Sequence, residues 1–158
     1  MARRGQAKIR EAKPDLVYKN RFVTKLINRS MLDGKKSVAE KQVYKAFEIV
    51  KEKGDDPVKV FSRALDNIRP SMEVRARRVG GAAYQIPIPV RGPRKESLAI
   101  RWLIYFARAR SNSEYHTFAE KLAAEIMDAA NGEGGAVKKK QEMERMAEAN
   151  RAFSHFRW

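Results

Sequence analysis

The sequence predicts a mainly α-helical protein, a bundle of six helices with one protruding β-hairpin between the third and fourth helices. Three observations favour this class. Apolar residues recur at intervals of three and four in six separate segments, which is the period of an amphipathic helix. Residues 72–90 change to a two-residue period around a double glycine. The 158 residues, 43% of them hydrophobic, suit one folded domain with its own core.

The first three helices are predicted upstream of the hairpin. Residues 1–13 carry five cations and one acid without apolar periodicity, so a flexible basic arm is expected before the helices. The first helix covers residues 21–32, and Asp33 with the following glycine ends it. Asp56 is the expected N-cap of the third helix, with Pro57 in its first turn. The residues expected to face the core in this part are Val23, Leu26, Ile27, Met31, Ala39, Val43, Phe47, Val50, Phe61, Ala64, Leu65 and Ile68.

Residues 72–90 alternate between apolar and other side chains on either side of Gly80 and Gly81, which predicts two strands joined by a tight turn. Pro87 and Pro89 lack amide protons on the same edge, so we expect a two-stranded ribbon with one free edge. An isolated ribbon is marginally stable, so its apolar face is expected to pack on the helices. The side chains assigned to that face are Met72, Val74, Ala76, Tyr84, Ile86 and Ile88, with arginines on the other face.

Three more helices are predicted after the hairpin. The fourth is the most apolar, the fifth ends at residues 131–132, and the sixth begins after a glycine-rich stretch. Residues 149–158 form a C-terminal tail that is aromatic and basic. The residues expected to face inward in these helices are Leu98, Trp102, Leu103, Phe106, Phe118, Leu122, Ile126, Ala129, Met143, Met146 and Ala147.

The net charge indicates an anionic partner. Lys and Arg number 34 and Asp and Glu 19, which gives a formal net charge of +15. Like charges in this excess repel one another unless an anion neutralises them, so a polyanion is favoured over a basic protein that is merely soluble. No apolar run reaches the ~20 residues of a bilayer span, and no secretory signal peptide is recognisable, so we expect a soluble protein.

Nothing in the sequence indicates catalysis. The chain has no cysteine, which excludes thiol chemistry and cysteine-ligated zinc. Gly34 and Lys35 lack the other residues of a P-loop, and the glycine-rich stretch before the sixth helix lacks the strand and third glycine of a dinucleotide site. His116 and His155 are isolated in the sequence, where packing or surface roles are commoner than metal binding. We expect no enzyme activity, cofactor or metal.

Cationic residues concentrate on the hairpin and the helix after it. Between Arg69 and Arg110 the chain has ten basic and two acidic residues. The planar fork of arginine matches phosphate, so we expect this region to contact a nucleic-acid backbone. Arg78 shares the parity of the apolar residues but lies near the tip, where it can reach outward. The alternative is a charged face that protects the ribbon edge from aggregation, which needs only one or two charges.

Two further features suit nucleic acid but have equally good structural explanations. Lys138, Lys139 and Lys140 lie in the first turns of the sixth helix, where cations oppose the helix dipole at a cost of ~0.3–1 kcal/mol each. An anion docked there would make this start favourable, whereas the alternative is a flexible loop with incidental lysines. The aromatic residues that are candidates for stacking on bases, or else for internal packing, are Tyr84, Tyr115 and Trp158.

Five stretches of the chain closely resemble the family of bacterial small-subunit ribosomal protein seven. They are PDLVY, DGKKSVAEK, MEVRARRVGGAAYQIPIPV, SLAIRWL and GEGGAVKKKQEMERMAEANRAFSHFRW, in the family's order and across nearly the whole chain. The family's fold is a bundle of six helices with a β-hairpin between the third and fourth, which is also the order indicated by the periodicity.

The resemblance implies a structural role in translation, as a cytoplasmic constituent of the small ribosomal subunit. Family members bind the three-prime major domain of small-subunit rRNA, start assembly of the subunit head, and lie near exit-site tRNA, the mRNA exit path and neighbouring ribosomal proteins. The predicted rRNA-binding residues also include the three lysines of the sixth helix. The full set on this sequence is Arg3, Arg4, Lys8, Arg10, Lys35, Lys36, Arg75, Arg77, Arg78, Arg91, Arg94, Lys95, Lys138, Lys139 and Lys140. The residues predicted near tRNA or mRNA are Arg78, Gly80, Gly81 and Tyr84.

Two other function classes fit parts of the sequence. A DNA-bending architectural protein also combines a helical body with a basic β-arm. Such arms often insert an apolar wedge between bases, whereas the turn here is Gly80–Gly81. A small RNA-modifying enzyme would need a cofactor pocket, for which the sequence has no motif. Competition between an rRNA junction fragment and duplex DNA separates the DNA-bending hypothesis from the ribosomal one.

Overall fold

Six α-helices and one β-hairpin make up the part of the chain that the structure describes. The computed structural model describes Gly5 and residues 11–156, without the side chain of Val79. The order is α1 (Arg21–Ser30), α2 (Lys36–Glu52), α3 (Pro57–Ile68), β1 (Met72–Val79), β2 (Ala82–Pro89), α4 (Gly92–Ala109), α5 (Phe118–Ala130), α6 (Gly135–Ala149) and a C-terminal 3-10 helix (Arg151–Phe156). The predicted fold class is confirmed. Four residues predicted in the basic arm, and the last aromatic residue, lie outside the described residues: Arg3, Arg4, Lys8, Arg10 and Trp158.

Side-chain caps set where helices begin. The carboxylate of Asp56 accepts a hydrogen bond from the amide of Val58 (3.0 Å), and Pro57 occupies the first turn of α3, as predicted. At the start of α5, Thr117 accepts from the amide of Glu120 while the Glu120 side chain accepts from the amide of Thr117. This reciprocal capping box satisfies two amides that the helix cannot pair internally.

α5 lies at the centre of the core. It packs against α2, α3, α4 and α6, and Leu122, Ala123, Ile126 and Ala129 have no exposed surface. The alanines let neighbouring helices approach closely, while leucine and isoleucine supply most of the apolar area removed from water. Nearly every residue predicted to face inward is buried or packs on this core. Within the described residues no helix is long and apolar enough to cross a bilayer.

Two details of the helices differ from the prediction. Met146 is 38% exposed instead of facing inward, because the buried stripe of α6 runs through Val137 and Ala147 and leaves Met146 on its flank. α1 ends at Ser30, two residues earlier than predicted. Met31 there takes an extended conformation, with ψ of 135°, and its amide still pairs with the last turn of the helix.

The turn of the hairpin is two residues long, and this length decides which side chains share a face. Gly80 and Gly81 both have positive φ, 57° and 88°, as a type I′ turn requires. β1 and β2 pair in antiparallel fashion with Arg75 opposite Ile86. Directly opposite residues point to the same side of the ribbon. A two-residue turn therefore groups odd-numbered residues of β1 with even-numbered residues of β2.

The predicted division into an apolar face and an arginine face is wrong for this reason. One face carries Glu73, Arg75, Arg77, Tyr84, Ile86 and Ile88, and the other carries Met72, Val74, Ala76, Arg78, Ala83, Gln85, Pro87 and Pro89. Ile86 is fully buried although its cross-strand partner is an exposed arginine. Apolar anchoring and positive charge thus occur on the same side of the ribbon. The predicted two-stranded form is confirmed.

The hairpin is attached to the body through the C-terminal third of the chain. α6 packs against both strands, and the C-terminal 3-10 helix packs against β2. The predicted tail is therefore a packed helix over its described residues. At the base, the amide and hydroxyl of Ser71 donate to Oε1 of Glu144 at 2.9 and 2.7 Å. Burial alone would raise the pKa of Glu144, but these hydrogen bonds and the charges of Lys140 and Lys95 lower it below its ordinary value.

Gly135 marks a close approach of α6 to α4. A Cβ atom there would lie 2.4 Å from Cδ1 of Phe106. We expect Gly135→Ala to lower the free energy of unfolding by about 1–3 kcal/mol, because the Phe106 side chain or one of the two helices has to move. Gly92→Ala is the matched control, since its Cβ would meet nothing within 4 Å, and it should change stability by less than about 0.5 kcal/mol. Urea unfolding followed by circular dichroism measures both, and equal stabilities would contradict the close packing.

Candidate nucleic-acid interface

The base of the hairpin, the start of α4 and the middle of α6 converge on a group of cations. Oε1 of Glu73 accepts a hydrogen bond from Nε of Arg75 at 2.8 Å and lies 2.7 Å from Nη2 of that arginine, and Oε2 accepts from Nε of Arg94 at 2.6 Å. Lys95 and Lys140 lie close enough to Glu144 of α6 to help lower its pKa. We name Arg75, Arg94, Lys95 and Lys140 the hairpin-base cluster. All four belong to the predicted rRNA-binding residues.

The two arginines of this cluster stay accessible although they are ion-paired. Glu73 is only 4% exposed, whereas the side chains of Arg75 and Arg94 are 53% and 47% exposed. Each guanidinium uses its Nε edge on the carboxylate and keeps further N–H groups directed elsewhere. The pairing therefore fixes the arginines in place and leaves donors for an outside anion.

The other predicted cations near the hairpin lie on different sides of it. Arg77 is exposed on the face of Arg75, and its Nη1 lies 3.4 Å from the carbonyl oxygen of Phe156, to which it donates. Arg78 is exposed on the opposite face, close to the turn. Arg91 is exposed just before α4, and its carbonyl accepts from two amides of the first turn. The ribbon and its base thus present positive charge on both faces.

The start of α6 already holds an anion from within the protein. Oε1 of Glu125 accepts from the buried amide of Ala136 at 3.0 Å. The carboxylate stabilises the first turn as an external anion would. Lys138, Lys139 and Lys140 follow in the helix, and Lys139 pairs with a glutamate one turn later at 2.8 Å. They lie on an ordered helix and not on a flexible loop, and contact with rRNA stays a prediction for them.

The other oxygen of Glu125 holds Arg110, one cation of the basic region between residues 69 and 110, in contacts within the protein. Nε and Nη2 of Arg110 donate to Oε2 of Glu125 at 2.9 and 2.7 Å, and Nη2 also donates to Asp128. Burial lowers the pKa of Arg110, but the hydrogen bonds with Asp128 and Glu125 outweigh this and raise it. Arg110 neutralises internal acids, so the basic count of this segment overstates its outward charge.

Lys35 and Lys36 lie at the far end of α4 from the hairpin-base cluster. Lys35 shares a shallow cleft with Arg108 and Phe118, and Arg108 donates to the carbonyl of Ser30 at 2.9 Å. The 18 residues of α4 span about 27 Å from one end to the other. These lysines therefore form a separate basic region and are not brought into the hairpin-base cluster.

The two described aromatic candidates for base stacking have partners inside the protein. The ring of Tyr84 lies 5.3 Å from that of Phe153 and 5.4 Å from that of Phe156. The ring of Tyr115 lies 5.6 Å from the guanidinium carbon of Arg110. Both arrangements favour the internal-packing alternative. Tyr84 links β2 to the C-terminal 3-10 helix.

Sequence reasoning missed an exposed stripe along α4. Its members are Arg94, Ser97, Arg101, Tyr105 and Arg108, which are separated by three or four residues and share one side of the helix. Tyr105 is 65% exposed between two arginines, a better position for stacking on a base than Tyr84 has. The spacing is present in the sequence, but the same helix carries the stronger apolar period of the buried residues Leu98, Trp102 and Leu103, which masks it. Ser97 also lines a cleft with Lys25 and Arg29 of α1, two further cations that were not predicted.

Nearly the whole chain matches one protein family. The family model described as ribosomal protein S7p/S5e covers residues 2–151. The chain belongs to this family. Similar relatives are small ribosomal subunit proteins uS7: that of Caldicellulosiruptor saccharolyticus is 60% identical, and those of Carboxydothermus hydrogenoformans and Moorella thermoacetica are each 57% identical. For all three the match covers the full length of both chains.

Membership in the S7p/S5e family confirms the resemblance seen in the sequence motifs. Proteins of this family are structural components of the ribosome and not enzymes. The hairpin with its basic base and the helical body are consequently features of a ribosomal protein. The individual rRNA-binding and tRNA-proximal residues remain predictions.

Proposed function

We propose that this chain is a structural constituent of the small ribosomal subunit that binds rRNA directly. In this proposal it binds the three-prime major domain of small-subunit rRNA, nucleates assembly of the head, and contacts neighbouring ribosomal proteins. Support comes from the relatives, which are named small ribosomal subunit proteins. The observation that carries direct RNA binding is the pair of half-exposed arginines in the hairpin-base cluster, Arg75 of β1 and Arg94 of α4, which share Glu73.

The proposed mechanism is electrostatic and does not involve chemistry on a substrate. The chain carries a formal charge of +15, and its lysines and arginines neutralise phosphates where several rRNA helices meet. Counterions released from the RNA drive binding, so affinity falls steeply with salt, with a log–log slope of ~0.7–0.9 for each phosphate contact. A packed helical body holds the cations in fixed positions and thereby stabilises one geometry of the junction.

The tip of the hairpin is the part proposed to lie near exit-site tRNA and the mRNA exit path. Gly80 and Gly81 have no neighbouring atoms within 4 Å of where a Cβ would be, so the turn projects into open space. Arg78 is exposed beside them. Backbone without side chains can approach nucleic acid closely. Tyr84 supports this tip from below through its contacts with the C-terminal 3-10 helix.

Filter binding with an rRNA transcript and duplex DNA tests the proposed function. The full chain is titrated against a transcript of the three-prime major domain and against a DNA duplex of equal length, both at moderate salt. We expect the transcript to bind at least about 100-fold more tightly, because a specific site exceeds backbone attraction alone. Footprinting should then show protection within the transcript. Equal affinity for the duplex would favour the DNA-bending alternative, and failure to bind the transcript would refute the proposal.

A further inference from the structure

We propose that Glu73 positions Arg75 and Arg94 as one preformed binding site for a phosphate of the RNA backbone. Glu73 lies on β1 and Arg94 in the first turn of α4, so the site forms only when the hairpin is docked on the helical body. The inference rests on the proposed function, since it names the device by which part of the interface recognises RNA. Glu73 itself is a positioning residue and does not touch the ligand.

The hydrogen bonds show that the carboxylate uses both oxygens to hold the two guanidiniums side by side. Nε of Arg75 donates to Oε1, which also lies 2.7 Å from Nη2 of the same arginine, and Nε of Arg94 donates to Oε2. Arginine has five N–H donors in a rigid fork. Nη1 of Arg75 and both terminal nitrogens of Arg94 therefore remain for a second acceptor. A phosphate carries oxygens at the spacing that such paired forks bind.

The charges also leave room for a further anion. One carboxylate faces two guanidiniums, so the trio has an excess of one positive charge. Glu73 is almost completely buried while the arginines are half exposed, which places the negative charge inside and the positive charges outside. Holding the arginines before RNA arrives reduces the entropy that two long side chains would otherwise lose on binding.

A purely structural ion pair would have the same contacts. The two roles predict opposite changes in RNA affinity when the negative charge of Glu73 is removed. Glu73→Gln removes a negative charge from a protein that binds an anion. If net charge alone matters, RNA binds this variant more tightly. If Glu73 positions the arginines, RNA binds it more weakly despite the added net positive charge, because the guanidiniums lose their anchor.

Glu73→Gln is therefore compared with Glu52→Gln in binding to the transcript of the three-prime major domain. Glu52 is exposed at the end of α2, and its replacement makes the same change in net charge. We expect Glu73→Gln to weaken binding about tenfold, the size expected for re-ordering two free side chains, and Glu52→Gln to leave it unchanged or slightly tighter. Glu73→Gln binding as tightly as Glu52→Gln would overturn the inference.

One further variant keeps the test decisive if Glu73→Gln is poorly folded, which circular dichroism reports, and another tests the coupling to the arginines if it is folded. Arg75→Lys keeps the charge but loses the fork, so it should also weaken binding about tenfold if the geometry matters. In a chain that already carries Arg75→Ala and Arg94→Ala, Glu73→Gln should cause no further loss. If Arg75→Lys binds RNA as tightly as wild type, or if Glu73→Gln causes the same loss of affinity in both backgrounds, the inference is overturned while the proposed function still stands. A wild-type chain that does not bind the transcript would instead refute the proposed function.

Discussion

Replacing Glu125 by alanine is expected to lower the free energy of unfolding by about 3–5 kcal/mol, a large part of the roughly 5–15 kcal/mol typical of a domain. The side chain is almost completely buried. Its Oε2 accepts two hydrogen bonds from Arg110, and its Oε1 accepts one from the amide of Ala136. Alanine would leave a mostly buried guanidinium with one carboxylate partner, Asp128, instead of two, and would leave a buried amide without its acceptor.

Urea unfolding gives the free energy directly, and two controls identify the cause. Glu133→Ala changes an exposed acid between the same two helices and should alter stability by less than about 0.5 kcal/mol. Glu125→Gln keeps the hydrogen-bonding shape without the charge and should lie between Glu125→Ala and wild type. A loss below about 1 kcal/mol for Glu125→Ala would show that the network is dispensable.

Replacing Arg75, Arg77 and Arg78 together by alanine should give the largest change in RNA binding. We expect affinity for the rRNA transcript to fall about 10- to 100-fold at moderate salt. The slope of log affinity against log salt should become shallower by ~0.7–0.9 for each lost phosphate contact. The reason is that the three guanidiniums are exposed on both faces of the ribbon.

Filter binding at several salt concentrations measures both the affinity and the slope. The matched control removes three exposed lysines of the helical body, Lys45, Lys51 and Lys53, and so changes the net charge equally. The control should lose much less affinity than the hairpin variant. If the two variants have the same affinity and the same slope, RNA affinity depends on net charge and not on where the charges lie, and the hairpin is not part of the interface.

Most of the fold could be predicted because its signals are local. The buried stripes of α2, α3 and α5 repeat every three or four residues, and Asp56 with Pro57 marks a helix start. The alternation around Gly80–Gly81 likewise predicts a hairpin, which the structure confirms. The face of the strands was predicted wrongly for a reason that is local as well. Which side chains of the two strands share a face depends on the number of residues in the turn, and the alternation within each strand does not reveal it.

The candidate site was predictable only in part, because its organisation depends on contacts between distant residues. The clustering of arginines near residue 75 is visible in the sequence, but the bond from Arg94 to Glu73 joins different elements. Similarly, the lysines at the start of α6 suggested an empty anion site, and nothing local shows that Glu125 occupies it. Tyr84 looked available for stacking because its partners Phe153 and Phe156 lie far along the chain.

The pairing of the two strands constrains how this hairpin can vary in length. Sliding β2 by one residue along β1 would turn every side chain of β2 to the opposite side of the ribbon and would take Ile86 out of its buried position. A change in length at the tip is therefore expected to be absorbed by the turn. One inserted residue gives a three-residue loop, which is also common in hairpins, and one deleted residue gives the same loop size by opening the pair of Val79 and Ala82. In both cases Arg75 stays opposite Ile86, so the tip can vary by single residues while the base of the ribbon keeps its anchor.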